Sequence, residues 1–480
     1  MDIRPVLYVS GMLLSIMSLS LILPMLADLY VGHSDWKVFF LCIIVTAFFG
    51  GSLVLSNAGQ KFKMSIRQVF FLTFTSWMTI VTFGALPFRF SELNLSFTDA
   101  FFESMSGITT TGATVITGLD DAPPGILLWR AILQWLGGIG IILMAMSVMP
   151  FLKVGGMQIF RTELSESEKA LPREATLASA IGLIYLGLTI LCAILYMMTG
   201  LTTFDAIAHA MTTISTGGFS TFDTSFGHYN DPWAEIVAIV FMLLGGMPFV
   251  LYLKAVRGNI RPFIQDSQVR WFLSIVAASI VATTFYLVVQ QDETIGEALR
   301  RSSFNIISLI TGTGYVNGDY NMWGGFVISL FFFLMVVGGC AGSTSCGIKI
   351  FRFQVLYAVT HVQMQKLLHP HGVFIAHYNN KPIPPDVPMS VMSFFFVYAV
   401  CFSLLAIALS FVGLDFLTAM SGAATAISNV GPGLGDIIGP TGTFAPLPDD
   451  AKWILSAGML LGRLEIFTIL VMLSPKFWRP

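Results

Sequence analysis

Four short runs along the 480-residue chain begin with a hydroxyl residue and end in glycine. They are Thr109-Thr110-Thr111-Gly112, Ser215-Thr216-Gly217-Gly218, Thr311-Gly312-Thr313-Gly314 and Ser428-Asn429-Val430-Gly431, about one per quarter of the chain. Small residues in extended backbone present successive carbonyl oxygens. Four such strands meeting on one axis would replace the water shell of a monovalent cation. Glycine supplies the left-handed dihedrals that keep those carbonyls turned one way. The competing reading is four small-residue packing turns, which does not explain why the pattern stops at four. Between the first two copies the match extends backwards, with Asp99-Ala100 standing before Gly112 as Asp205-Ala206 stands before Gly218.

A second repeat follows each turn. Trp135-Leu136-Gly137-Gly138 matches Leu243-Leu244-Gly245-Gly246 and Val336-Val337-Gly338-Gly339, whereas the fourth copy is Leu460-Leu461-Gly462-Arg463. Three copies are small where the fourth is a charge, and a charge inside a membrane normally faces a cavity or a partner. If Gly138, Gly246 and Gly339 leave room, Arg463 projects below the turns as a barrier or latch for cations. A structural pair with Glu465, or with an acid on another helix, is the alternative. The third copy continues into ten small residues, Gly338, Gly339, Cys340, Ala341, Gly342, Ser343, Thr344, Ser345, Cys346 and Gly347. Four glycines depress helix propensity, so a broken helix with a movable loop across the path is expected. Close helix packing through Gly338 and Gly342 is the other reading.

These residues need elements at membrane depth to hold them, and the composition supplies the setting. The chain is 55% hydrophobic and 11% charged, against about 25% charged in soluble domains. It reads as an all-α integral membrane protein. Net charge −2 argues against a nucleic-acid binder. The apolar run after Arg4 is too long for a signal peptide, so a retained first span is expected. Ten stretches have spanning length: Tyr8–Ala27, Val38–Leu55, Val69–Leu86, Ile126–Val148, Leu177–Met198, Trp233–Leu253, Val269–Val289, Gly324–Lys349, Val391–Leu414 and Trp453–Leu473. Between certain pairs lie half-spans, Phe97–Thr111, Phe204–Thr216, Leu299–Thr313 and Leu414–Val430, too short to cross and therefore re-entrant. The organisation is two N-terminal spans (1–63) and four helix–pore-helix–helix units (64–160, 161–262, 263–370 and 371–480) around a central pore.

With the N-terminus in the cytoplasm, most basic residues fall on the inner side, as the positive-inside rule requires. Lys61, Lys63, Lys153, Arg161, Lys169, Arg173, Lys254, Arg257, Arg261, Lys349 and Arg352 are among them. Arg130 and Lys452 fall outside, in a surface rich in acids such as Asp99, Glu103 and Asp223. Five scattered cysteines show no metal spacing and read as reduced thiols. His209, four residues after Asp205, is expected to make a supporting hydrogen bond. His361, His369, His371 and His377 read as a solvated inner loop.

As a set, the four turns, the 338–347 loop and Arg463 resemble the Trk/Ktr/HKT superfamily of potassium transporters. The two extra N-terminal spans and the length resemble its TrkH type. The resemblance covers essentially the whole chain. It implies K+ as the transported ion, held at Thr110, Thr111, Gly112, Gly217, Gly218, Thr313, Gly314, Val430 and Gly431. It implies uptake across the bacterial inner membrane, with a gate formed by the loop and Arg463. It also implies a homodimer docked on a cytosolic RCK-type ring of nucleotide-binding subunits that sense ATP, ADP or NADH. Only the third turn is close to the TVGYG of potassium channels. The chain itself has no GxxxxGK[ST] nucleotide motif, and no HExxH or paired Asp motif for an intramembrane enzyme. A K+/H+ or K+/Na+ symporter is the principal alternative, with Glu465 as the one acid expected well inside a span.

Overall fold

The computed structural model describes residues 2–59, 64–147, 156 and 174–479. The boundary expected at 160/161 and the basic residues Lys61, Lys63, Lys153, Arg161, Lys169 and Arg173 lie outside them. Helices α1 (Arg4–Ser20) and α2 (Ile22–Val31) form one span, and α3 (Trp36–Asn57) packs along α1. Glycine makes that approach possible. A Cβ on Gly50 would lie 2.9 Å from Ser15 Oγ and 3.0 Å from the Gly11 carbonyl. Asp28, near the C-terminal end of this span, accepts a hydrogen bond from the Gly125 N–H, which ties the leading helices to the first unit.

Four units of one pattern follow. The first is α4 (Ile66–Phe90), the half-helix α5 (Phe97–Ile108) and α6 (Pro124–Ser147). The second is α7 (Glu174–Met198), the half-helix α8 (Thr203–Ile214) and α9 (Pro232–Gly245) with α10 (Phe249–Val256). A short α11 (Arg261–Gln265) leads to α12 (Ser267–Gln290), the half-helix α13 (Ile295–Thr311), α14 (Gly325–Val337) and α15 (Ile350–Leu368). After a small hairpin, β1 (His377–Tyr378) against β2 (Lys381–Pro382), come α16 (Asp386–Phe411), the half-helix α17 (Phe416–Ser428), α18 (Asp449–Arg463), α19 (Ile466–Leu473) and α20 (Pro475–Trp478).

All four half-helices start alike. The side chains of Ser96, Thr202, Thr294 and Asp415 each accept from the backbone N–H three residues on, which satisfies a donor that the first turn leaves free. The units close on one another in a ring. The last helix of each packs on the next unit's half-helix: α6 on α8, α9 on α13, α14 on α17, and α18 back on α5.

Seven helices among the described residues are long and apolar enough to span, or nine when two bent pairs count as spans. Ten were expected, and the difference lies in the last helices of three units. Gly324–Lys349 divides into the 13-residue α14, an irregular stretch and the start of α15, as the small-residue run foretold. The other two breaks correct the expectation of continuous helices. Trp233–Leu253 bends by 97° between α9 and α10, where Pro248 provides no N–H to continue the ladder. Trp453–Leu473 bends by 109° between α18 and α19, where Glu465 takes a left-handed φ of 56°.

Gly50→Val should force α1 and α3 apart and cost roughly 1–3 kcal/mol. Thermal unfolding of the detergent-solubilised protein should show a lowered midpoint, with transport per folded molecule unchanged.

Candidate functional site

The half-helices end at the four glycine-terminated turns, and each turn has the same backbone. Thr110, Thr216, Gly312 and Asn429 have φ of 53°, 49°, 75° and 55°. Two residues later Gly112, Gly218, Gly314 and Gly431 have φ of 86°, 77°, 80° and 100°. A regular extended strand points its carbonyls alternately to opposite sides. A left-handed residue at every second position turns successive carbonyls to the same side. Three of the four residues at the first position are not glycine, so they hold a conformation that costs an ordinary residue free energy.

The turns also touch in sequence around a closed ring. A methyl group on Gly112 would strike the carbonyl oxygen of Gly217, one on Gly218 that of Thr313, and one on Gly314 that of Val430. On Gly431 it would lie 2.9 Å from the Thr111 oxygen, which completes the circuit. Thr111, Gly217, Thr313 and Val430 are the equivalent positions of the four units. Thr109, Thr110, Thr111, Ser215, Thr216, Thr311, Thr313, Ser428, Asn429 and Val430 are all buried. Buried backbone acceptors are nearly always paired. Among the described residues, however, the carbonyls of Thr110, Thr111, Gly112, Thr216, Gly218, Gly312, Thr313, Gly314, Asn429 and Val430 accept no hydrogen bond. On one side of the ring a cavity of about 70 Å³ is lined by Gly112, Gly218, Gly314 and Gly431 together.

The ring is braced from behind. Thr109 and Thr111 share a hydroxyl–hydroxyl hydrogen bond of 2.8 Å, and Thr311 and Thr313 repeat it at 2.8 Å. Asn429 Nδ2 donates to Thr111 Oγ1 and to the Met459 carbonyl, joining the fourth unit to the first. Gln134 donates to the Gly217 carbonyl at 2.6 Å and accepts from the Phe219 N–H at 3.0 Å. The Tyr315 hydroxyl meets Thr212 and Thr213 of α8. His209, as expected, serves as a hydrogen-bonding support, between the Asp205 carbonyl and Ser220 Oγ. Of the histidines expected in a loop, His361 stands instead on α15 and His377 on β1, where they contact Gln365 and the Ile375 carbonyl.

Several charges sit elsewhere than expected. Glu103 and Arg130, assigned to outer loops, are 0% and 1% exposed and pair at 2.8 Å. Glu103 accepts from Thr114 Oγ1 and the Val115 N–H just past the first turn, and Arg130 donates to the Ser220 carbonyl just past the second. One ion pair thus fixes two strands. The available signal was polar Arg130 and Gln134 one helical turn apart in an apolar span, facing a glutamate in an apolar half-span. Lys452, also placed outside, is buried against Asp99 at 2.6 Å. Lys349 and Arg352, placed in inner loops, are buried too. Arg352 pairs with Glu465 at 2.5 Å, and Lys349 donates to the Ser345 carbonyl.

On the other side of the ring from that cavity lie the loop and Arg463. Gly338, Gly339, Cys340, Ala341, Gly342, Ser343, Thr344, Ser345, Cys346 and Gly347 form no helix. Thr344 Oγ1 donates to the carbonyls of Ile214 and Gly245 and meets Thr216 Oγ1 at 3.2 Å, directly beneath the second turn. Arg463, 1% exposed, donates to the Thr344 carbonyl at 3.3 Å, to Cys346 Sγ at 2.6 Å and to the Gly137 carbonyl at 2.7 Å. All four units meet at this knot. Glu465 bonds to Arg352, so the Arg463–Glu465 alternative does not describe the geometry. The repeated glycines have a packing role as well. Gly137, Gly245 and Gly462 lie against the carbonyls of Ile108, Ile214 and Ile427 at the half-helix ends. Gly138 and Gly246 pack on Ser215 and Thr311 of the next unit, and thus do not leave open space around an axis.

Comparison with known proteins agrees over the whole length. The family described as TrkH, cation transport protein, matches residues 35–479. The chain is 45% identical to the Trk system potassium uptake protein TrkI of Halomonas elongata, covering 99% of this chain and 97% of that protein. It is 35% identical to TrkH of Escherichia coli, covering 100% of both. The crystal structure of the potassium transporter TrkH from Vibrio parahaemolyticus superposes with a TM-score of 0.92 at 35% identity, covering 100% of both chains.

Gly218→Ala should abolish transport in a folded protein, because it places a Cβ on the Thr313 carbonyl at φ 77°. Glu103→Ala should cost about 3–5 kcal/mol by leaving Arg130 buried and unpaired. A lowered melting midpoint checks it, and the Glu103→Ala, Arg130→Met double variant should recover part of the loss.

Proposed function

Since the chain belongs to the TrkH family of cation transport proteins, a family of transporters rather than enzymes, we propose that it takes K+ into the bacterial cell across the inner membrane as the ion-conducting subunit of a Trk system. The observation that carries this reading is the closed ring of buried carbonyls, most of which accept no hydrogen bond. Such a ring is costly for a protein to keep empty of partners and well suited to a dehydrated cation. The candidate ligands are the backbone oxygens of Thr110, Thr111, Gly112, Gly217, Gly218, Thr313, Gly314, Val430 and Gly431. The half-helices α5, α8, α13 and α17 end at the ring, so the negative ends of their dipoles add to its attraction for cations. The membrane potential supplies about 2.3 kcal/mol per charge per 100 mV for entry.

On this reading the 338–347 loop and Arg463 form the restraint below the filter. The guanidinium places a positive charge where a cation would leave, and it pins the loop to α6. A channel-like pore is favoured over coupled symport by the state of the buried acids. Glu103 and Glu465 are each engaged in an ion pair with an arginine, which commits both carboxylates to structural contacts. The family resemblance extends the proposal to a homodimer and a cytosolic nucleotide-binding ring, for which the basic inner loops are the natural docking face.

Two results are expected in reconstituted vesicles. Arg463→Ala removes three hydrogen bonds from a charged donor, each worth about 1.5–3 kcal/mol, and should raise flux at least tenfold. Deleting Ser343–Ser345 should raise it in the same direction, and unchanged flux in both variants would remove the loop from the mechanism. The reversal potential should follow the potassium gradient and stay fixed when pH or sodium is varied, whereas a symporter would shift with the coupling ion.

A further inference from the structure

The bent second unit carries a feature that conduction does not use. Helix α9 has 14 residues, about 21 Å of rise at 1.5 Å per residue, within a hydrocarbon core of about 30 Å. It stops in the inner third of that thickness. There α10 turns off by 97°, so it runs along the membrane plane. In α10 Phe249, Leu251 and Leu253 are buried. Its last residue, Val256, and Ile260 and Ile264 after it are exposed at 77%, 62% and 71%. Lys254, Arg257 and Arg261 alternate with these apolar side chains, and no acid occurs between residues 249 and 265. Among the described residues none of the three cations has an ion-pair partner. Exposed apolar and basic residues interleaved on a segment lying in the membrane plane match the boundary between acyl chains and anionic headgroups.

The same hinge holds the intramembrane loop. The Phe249 N–H donates to the Gly342 carbonyl at 2.9 Å, while the Cys340 and Thr344 N–H groups donate to the carbonyls of Gly246 and Gly245 at 3.0 and 3.2 Å. The first residue of α10 is therefore one hydrogen bond away from the loop. We propose that α10 and α11 form an anionic-phospholipid binding surface whose occupancy sets the position of the 338–347 loop and so the flux. Its consequence for flux rests on the reading of that loop as the restraint. The lipid binding does not.

The test uses the full-length protein in vesicles of phosphatidylcholine alone and of phosphatidylcholine with phosphatidylglycerol. Retained phosphatidylglycerol is measured by native mass spectrometry, and rubidium flux is measured in the same preparations. The wild type should retain phosphatidylglycerol and change its flux several-fold when that lipid is present. The K254Q/R257Q/R261Q variant should lose about a hundredfold in phosphatidylglycerol affinity, at roughly fivefold per basic residue, and should lose the flux response. The charge-matched K366Q/K476Q/R479Q variant should keep both, and K254R/R257K/R261K should behave as wild type. Equal retention by the two neutralised variants overturns the site. Selective retention with identical flux in both vesicles overturns the coupling to the loop. Failure of the gate reading itself would appear separately, as unaltered flux in the loop deletion.

Discussion

A buried backbone carbonyl left without a donor costs about 1–3 kcal/mol, and this fold maintains a ring of them between four half-helices. No single strand could hold that arrangement, because water or a neighbouring N–H would satisfy the oxygens. Closure by four units prevents it. Each glycine packs so closely on the next unit's carbonyl that a methyl group has no room. The oxygens are confined from the side while their donors are kept away. The bracing behind the ring consists mostly of groups that engage other atoms of the same strands. Asn429, Tyr315 and the Glu103–Arg130 pair bond to side chains, N–H groups or flanking carbonyls, while Gln134 donates to one ring oxygen, that of Gly217. They fix the strands and leave most of the ring oxygens without a donor.

Rigidity above and adjustability below have different chemical origins. The braces above involve buried charge and amide groups, whose loss leaves a partner stranded. The knot below is built from a glycine-rich loop held by hydrogen bonds to the second and fourth units. Arg463 is the only member of its repeat position that is not glycine, and its hydrogen bonds run to the first and third units at once. A pseudo-fourfold fold thus uses one broken equivalence to pin what its repeats alone would leave loose. On the proposed gate reading, unpinning requires only that the loop exchange hydrogen bonds, which leaves the packed core of the half-helices intact.

The architecture was legible because it repeats. Hydroxyl-to-glycine turns at comparable positions in four units, with half-length apolar segments before them, gave their places to within a few residues: Phe97–Thr111 became α5 at Phe97–Ile108, and Leu414–Val430 became α17 at Phe416–Ser428. The break at Gly338–Gly347 was legible because ten small residues cannot sustain a helix. Two other breaks were not. At Pro248 and Glu465 the mean apolar content continues through a bend that depends on one backbone position. Buried charge was misplaced for a related reason. Hydropathy places Glu103, Arg130, Lys349 and Lys452 by their type, and only their tertiary partners explain why they are inside. Polar residues one helical turn apart on an apolar span, such as Arg130 and Gln134, were the trace that remained.

Crystals grown with rubidium in place of potassium offer the most direct measurement, since rubidium scatters anomalously. The account predicts anomalous peaks on the ring axis, in contact with the carbonyl oxygens of Thr111, Gly217, Thr313 and Val430. Peaks confined to acidic surface side chains, with the ring oxygens bonded to water or to protein donors, would contradict it.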